Sequence, residues 1–154
     1  MRLATTRFGE ISYSEKDIIS FKEGLLGLED HTRYLILRPP ESYPFAWLQS
    51  LEDSHTAIPV IPAQIFQPSY HFELSDEIAK ELSIQKKDKV ESYCQVYLAE
   101  QSKSSNVNLL MPIVVNLANR QAKQIVLEKK PYTSKHNLFD LLASQKGQSK
   151  GSRD

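Results

Sequence analysis

Ser50, Asp53 and His55 lie close together in the sequence and are the residue types of a hydrolytic triad. In a triad the serine attacks, the histidine accepts its proton and the carboxylate orients the histidine. Proximity along the chain does not supply that geometry, and residues 52–54 are explained more simply as a solvated turn between two strands. A small hydrolase is therefore the third of three hypotheses for this chain.

The histidines, the cysteine and the glycines offer no metal or nucleotide chemistry. The histidines form neither an H-x-H nor an H-x-x-x-H spacing, and the single Cys94 has no partner thiol for a disulfide. Gly24 and Gly27 flank two leucines without a following helix, unlike the glycines of a phosphate-binding loop. We expect no cofactor and no metal, and a reducing, cytoplasmic setting.

The charges balance overall but are separated along the chain. The chain has nineteen basic and nineteen acidic residues. From residue 117 onward there are eight basic and three acidic residues, so the first 116 residues have a net charge of minus five. Residues 39–79 contain six acidic residues and no Lys or Arg. Such a segment repels phosphate and attracts basic proteins, although it is also compatible with a merely solvated acidic surface. We therefore expect no direct nucleic-acid binding by this part of the chain.

The elements that must position these residues are mostly strands. Short β-rich segments alternate with Gly, Pro and Ser/Asn turns, as in a sandwich or barrel. In residues 93–98 the alternation places Cys94 in the core. The pattern predicts strands at residues 2–8, 10–13, 17–21, 34–38, 45–50, 57–61, 70–74, 91–99, 109–116 and 123–127.

The length of 154 residues predicts a single domain. We expect a mainly β fold, a small antiparallel β-barrel-like domain over residues 1–143 with one or two short helices. Ser75 is a candidate N-cap for a helix from Asp76 to Leu82, and Asn137 precedes a helix over residues 138–143. Residues 144–154 contain no apolar side chain and are expected to form a disordered basic tail. The longest strongly apolar run is too short for a membrane span, so no membrane association is expected.

Four segments of the sequence resemble the flagellar assembly factor FliW family in order and spacing. Together they extend the resemblance over roughly residues 7–136, so it covers most of the predicted domain. The four segments are residues 21–29 (FKEGLLGLE), 44–53 (PFAWLQSLED), 108–116 (NLLMPIVVN) and 124–127 (QIVL).

The resemblance implies a non-enzymatic, cytoplasmic regulator that binds flagellin and the translational repressor CsrA. In this family, flagellin inside the cell occupies the factor; once flagellin is exported, the freed factor captures CsrA and relieves repression of flagellin mRNA. CsrA is a basic RNA-binding protein, so the acidic segment has the right sign to attract it. We expect the free protein to be monomeric.

The acidic segment and the start of the Pro112 strand supply the candidate contact residues. Phe66 and Tyr70 could act as amphipathic anchors and Glu73 and Asp76 as charged partners, with Asn108 and Leu109 beside them. For Phe66 and Leu109 a place in the core is an equally open interpretation, because large apolar residues are buried by default.

The alternative to the FliW-like function is a nucleic-acid-binding barrel of the OB type. Tyr93, Tyr97 and Tyr132 would be its stacking platforms, beside the basic C-terminal stretch. The separated charge at the C-terminus is the feature that supports it.

Overall fold

Eleven strands and two α-helices make up the fold in the computed structural model, which describes residues 1–67, 69–128 and 130–144 and the helical backbone of 145–151. The helices are α1 (Asp76–Glu81) and α2 (Leu138–Gly151). The strands are β1 (Arg2–Thr5), β2 (Gly9–Ser12), β3 (Ile19–Phe21), β4 (Arg33–Leu37), β5 (Ala46–Ser50), β6 (Ala57–Pro62), β7 (Val90–Tyr97), β8 (Asn106–Val107), β9 (Ile113–Asn116), β10 (Gln121–Gln124) and β11 (His136–Asn137).

Seven of the strands close into a barrel. The neighbours run β7-β6-β5-β4-β3-β10-β9, and β9 pairs back onto β7 with Val90 opposite Asn116 and Tyr93 opposite Ile113. The mainly β, barrel-like fold class is therefore confirmed. All strand pairs around the barrel are antiparallel except β3 with β10, which run parallel. The expected purely antiparallel arrangement is therefore wrong at this one pair.

Alternate side chains of these strands fill the barrel interior. Tyr34 stacks edge-on against Phe21 at 5.3 Å between ring centroids, and Tyr93 enters from β7. Each large apolar side chain buried in this way stabilises the fold by about 1.5–3 kcal/mol. The cluster inside the barrel comprises Ile19, Phe21, Leu25, Tyr34, Ala46, Leu48, Ile58, Val60, Tyr93, Ile113, Val115 and Ala122.

A second apolar cluster lies against the outer face of the barrel. It contains Cys94 and Val96 of β7, which confirms the predicted core position of Cys94. On the opposite face of β7, Tyr93 points into the barrel, whereas Tyr97 at the end of the strand is exposed. Burial raises the pKa of the Cys94 thiol to about 12, so this cysteine stays protonated. The residues after β6 and both helices pack onto this outer cluster.

The β1–β2 hairpin forms a separate two-stranded sheet. Phe8 beside its turn packs edge-on against Trp47 of β5 at 5.8 Å, and the Thr6 N–H donates to the Ser54 carbonyl at 3.1 Å. The predicted strand at residues 2–8 is therefore shorter, and its last residues form the turn that rests on β5.

Both helices begin directly after the residues predicted to cap them, Ser75 and Asn137. Ser75 Oγ accepts the Ile78 N–H at 3.2 Å, and Asn137 Oδ1 accepts the Asp140 N–H at 3.0 Å. Helix α2, however, continues to Gly151, beyond the predicted end at residue 143, so residues 144–151 are helical where disorder was expected. Starting a helix is the costly step and extending it is cheap, and the capped, docked first turn provides the start. Residues 152–154 of the predicted tail lie outside the described residues.

Two glycines shape the loop after β3. Gly24 has a φ of +70° and Gly27 a φ of +86°, so this turn uses the left-handed backbone region. A Cβ on Gly24 would come within 2.7 Å of the Glu29 Cα, whereas a Cβ on Gly27 would have nothing within 4 Å. A substitution at Gly27 would therefore add backbone strain alone, whereas one at Gly24 would add backbone strain and a steric clash.

We expect Gly24→Ala to destabilise the protein more than Gly27→Ala. The Gly27 variant should lose about 1–2 kcal/mol, the cost of a left-handed L-residue. The Gly24 variant should lose a further 1–3 kcal/mol or so, because the loop must shift to make room for the methyl group. Urea unfolding of the two variants measures both losses. Equal losses would show that the close approach to Glu29 has no energetic weight.

Candidate protein-interaction site

The chain between β6 and β7 carries the predicted acidic contact residues. We call residues 63–84 the outer connection. It starts with a single 3-10 turn, Ala63–Phe66, which turns Phe66 into the outer cluster, and it ends with helix α1. The outer connection thus covers one side of the barrel and presents its remaining side chains to solvent.

Three of the predicted contact residues belong to the core. Phe66, Tyr70 and Leu109 are 1, 3 and 2% exposed, and the Tyr70 O–H donates to the Leu109 carbonyl at 2.8 Å. Burial raises the pKa of Tyr70, so its hydroxyl remains a proton donor. Phe66 and Leu109 therefore occupy the core, which was the alternative interpretation, and Tyr70, expected as an amphipathic anchor, is buried as well. Their side chains fill the outer cluster, and the hydrogen bond fixes the outer connection to the chain before β9.

Tyr132 holds the next part of the outer connection. Its hydroxyl accepts the His71 N–H at 3.0 Å and lies 3.3 Å from the carbonyls of Ser69 and His71. Its ring stacks edge-on against Tyr70 at 4.7 Å. The predicted strand at residues 70–74 does not form, and the backbone of His71 bonds instead to this distant hydroxyl. Nothing in the local sequence signals this partner.

The acidic side chains of the outer connection face solvent. From Tyr70 to Leu74 burial still alternates, with Phe72 and Leu74 turned inward and Glu73 outward. Asp76 and Glu77 are exposed in the first turn of α1, where the helix dipole favours negative charge. None of the ion pairs among the described residues involves these three acids. They form an exposed acidic surface outside these ion pairs, with Lys80 one turn further along α1. We call Glu73, Asp76 and Glu77 the acidic patch.

Lys123 prevents the neighbouring acids from adding to this patch. Its ammonium lies 3.6 Å from Glu23 and also pairs with Glu81 at the end of α1. The Glu81 hydrogen bond raises the pKa of Lys123, which keeps it charged. These two ion pairs hold the end of α1 against β10 and against the loop after β3.

Asn108 has a structural role that the sequence analysis did not assign. Its Oδ1 accepts the N–H groups of Leu110 at 3.1 Å and Met111 at 3.0 Å, which forms the turn that leads into Pro112 and β9. The side chain is half-buried. Asn108 therefore positions Leu109 beneath Tyr70, and it does not stand out as a free recognition group.

The hydrolytic triad is not assembled. Ser50 is fully buried; its Oγ lies 3.1 Å from the Nδ1 of His31 and accepts the N–H groups of Glu52 and Asp53. The Asp53 carboxylate accepts the His55 N–H at 3.0 Å, and this bond lowers the pKa of Asp53. These contacts close the turn between β5 and β6, as the simpler interpretation predicted.

The stacking platform of the OB-type alternative is also missing. Tyr93 lies inside the barrel and Tyr132 is bound to the outer connection, which leaves Tyr97 as the one exposed ring of the three. Within the described residues, no group of three or more His, Cys, Asp or Glu side chains could hold a metal ion. The described helices include none that is long and apolar enough to cross a bilayer. The feature left for function is the acidic patch and its support.

Comparison with known proteins identifies the family. The family model of the FliW protein matches residues 2–138, nearly the whole of the described chain. The chain belongs to the FliW family. FliW proteins are flagellar assembly factors, a regulatory family, so the resemblance of the four sequence segments is confirmed.

Individual FliW relatives agree over almost their full length. The flagellar assembly factor FliW of Ruminiclostridium cellulolyticum is 40% identical over 146 residues, which is 94% of this chain and 99% of the relative. That of Alkaliphilus metalliredigens is 34% identical and covers 97% of this chain and 93% of its own. A crystal structure of the flagellar assembly factor FliW superposes with a TM-score of 0.82 at 30% identity, covering 90% of this chain and 96% of that one.

Proposed function

We propose that this FliW protein binds flagellin and the translational repressor CsrA in exchange for one another. When flagellin occupies the protein, CsrA is free to repress flagellin mRNA. When flagellin leaves the cytoplasm by export, the vacated protein, a monomer, captures CsrA and relieves the repression. Family membership supports the general role in flagellar assembly, and the acidic patch supports the choice of a basic partner.

The acidic patch is the observation that carries this proposal. Its three carboxylates are exposed and lie outside the ion pairs of the described chain, on a segment held by Tyr70, Tyr132 and Lys123. A fixed cluster of like charges raises the encounter rate with a basic protein and repels nucleic acid. CsrA is basic because it binds RNA, so the same patch attracts the protein and keeps RNA away from the complex.

The buried contact candidates act indirectly in this proposal. Phe66, Tyr70 and Leu109 hold the outer connection in place, while Glu73 and Asp76 contact the partner. Asn108 contributes by shaping the turn beneath them. The interface then consists of a charged rim on a preformed backbone, which lowers the cost of ordering the surface on binding.

The exchange itself is tested by reciprocal titration. Flagellin titrated into the preformed CsrA complex should release CsrA, and CsrA should release flagellin in the reverse titration, with the same coupling factor in both directions because linkage is reciprocal. Size-exclusion chromatography follows the release and calorimetry gives the coupling. A stable ternary complex with both affinities unchanged would contradict exchange, even if each partner bound tightly alone.

We expect the double substitution Glu73→Lys with Asp76→Lys to slow association with CsrA. Rim charges act mainly on encounter, so the association rate at low salt should fall by about tenfold and approach that of the unchanged protein as salt rises. Stopped-flow fluorescence measures the rate. Both side chains are exposed, so the fold should survive; the lysine in the first turn of α1 should lower the thermal unfolding midpoint by a few degrees at most.

The matched control is Asp30→Lys with Glu100→Lys, two exposed acids of other loops with the same change in net charge. If the two double variants slow association equally, net charge alone accounts for the effect, and the acidic patch is not the docking face.

A further inference from the structure

Helix α2 lies over the buried residues that the sequence analysis had assigned to partner contact. Its first residue, Leu138, is 3% exposed, and its N–H donates to the Ser105 carbonyl at 3.0 Å. Leu141 and Leu142 are half-buried against the outer cluster, next to the 3-10 turn that carries Phe66. One and a half turns of this helix therefore cover the apolar surface formed by Phe66, Tyr70, Leu109 and Tyr132, which we call the helix groove.

Helix α2 does not fill the helix groove. An apolar cavity of about 170 Å³ remains beside it, and Ser144 stands at its edge, three residues after Leu141. A serine hydroxymethyl group is much smaller than a leucine or phenylalanine side chain and leaves the surrounding rings without contacts on one side. The residues along the cavity include Phe66, Tyr70, Leu109, Tyr132, Leu141 and Ser144.

The sequence of the rest of α2 offers no further apolar side chain. From Ser144 to Gly151 it has no apolar residue other than glycine, and the described contacts of α2 with the outer cluster come from Leu138, Leu141 and Leu142. A covalently tethered segment is held at an effective concentration in the millimolar range, which lets a poorly fitting helix stay in place. A better-fitting helix from another molecule can then compete with it.

We propose that the helix groove is a docking site for an amphipathic helix of a partner protein, and that α2 is its replaceable intramolecular occupant. The partner helix carries apolar side chains at the positions of Leu138, Leu141 and Leu142, and a larger apolar side chain where this chain has Ser144. The occupant already seated in the groove is a helix with the first three of these features, and the cavity specifies the fourth. This site is separate from the acidic patch and does not depend on the partners proposed above.

The test uses a fluorescein-labelled peptide of residues 137–151 with Ser144→Leu, titrated with the full-length protein by fluorescence anisotropy. When α2 occupies the helix groove, the peptide binds only the molecules in which α2 has left. The apparent affinity is then the intrinsic affinity multiplied by the fraction of open molecules. Leu141→Asp in the protein should release α2 and tighten peptide binding by about tenfold or more. Ser144→Leu in the protein should strengthen α2 and weaken peptide binding by a similar factor, and it should raise the thermal unfolding midpoint.

Phe139→Asp is the matched control, because Phe139 lies on the same helix but is 46% exposed; this variant should bind the peptide as the unchanged protein does. A peptide with Leu142→Asp should not bind. Equal peptide affinity for the unchanged protein and its Ser144→Leu variant would overturn the proposal, even if Leu141→Asp failed to fold. Absence of binding to a folded Leu141→Asp protein would overturn it as well.

Discussion

The pairing of β9 with β7 is the constraint on which the rest of this FliW structure depends. It joins Val90–Tyr93 to Ile113–Asn116 and turns the row of seven strands into a closed barrel. Closure pairs the two end strands of the row with each other, so neither remains an unpaired edge strand. It also limits the interior to one small cluster of side chains, and the remaining apolar residues must be covered from outside.

The outer connection and α2, which we together call the outer cover, bury the second cluster. They are also the segments on which both proposals place partner binding, the acidic patch on the outer connection and the helix groove beneath α2. Tyr70 and Tyr132 fix the outer connection through one buried and one surface hydroxyl. Because hydrogen bonds in an apolar surrounding are costly to leave unmade, the Tyr70–Leu109 bond specifies one position for this segment. A partner that approaches the acidic patch meets a preformed surface.

Local sequence signals predicted the parts of the fold that depend on local physics. Alternation predicted the barrel strands and the core position of Cys94. Ser75 and Asn137 predicted where the two helices begin. Signals that depend on distant partners could not be found this way. Residues 70–74 alternate like a strand, but the His71 backbone bonds to Tyr132. The parallel pairing of β3 with β10 depends on barrel closure. Phe66 and Leu109 were candidates for either core or surface until the outer cluster was known.

The central claim, that partners bind to the outer cover and not to the barrel, is tested most directly by hydrogen–deuterium exchange of the protein alone and with CsrA or flagellin. The account predicts that at least one partner changes exchange in residues 69–84 or 138–144, while β4, β5 and β6 exchange as in the free protein. Protection confined to the β1–β2 hairpin and the strands beneath it, with the outer cover unchanged for both partners, would contradict the account.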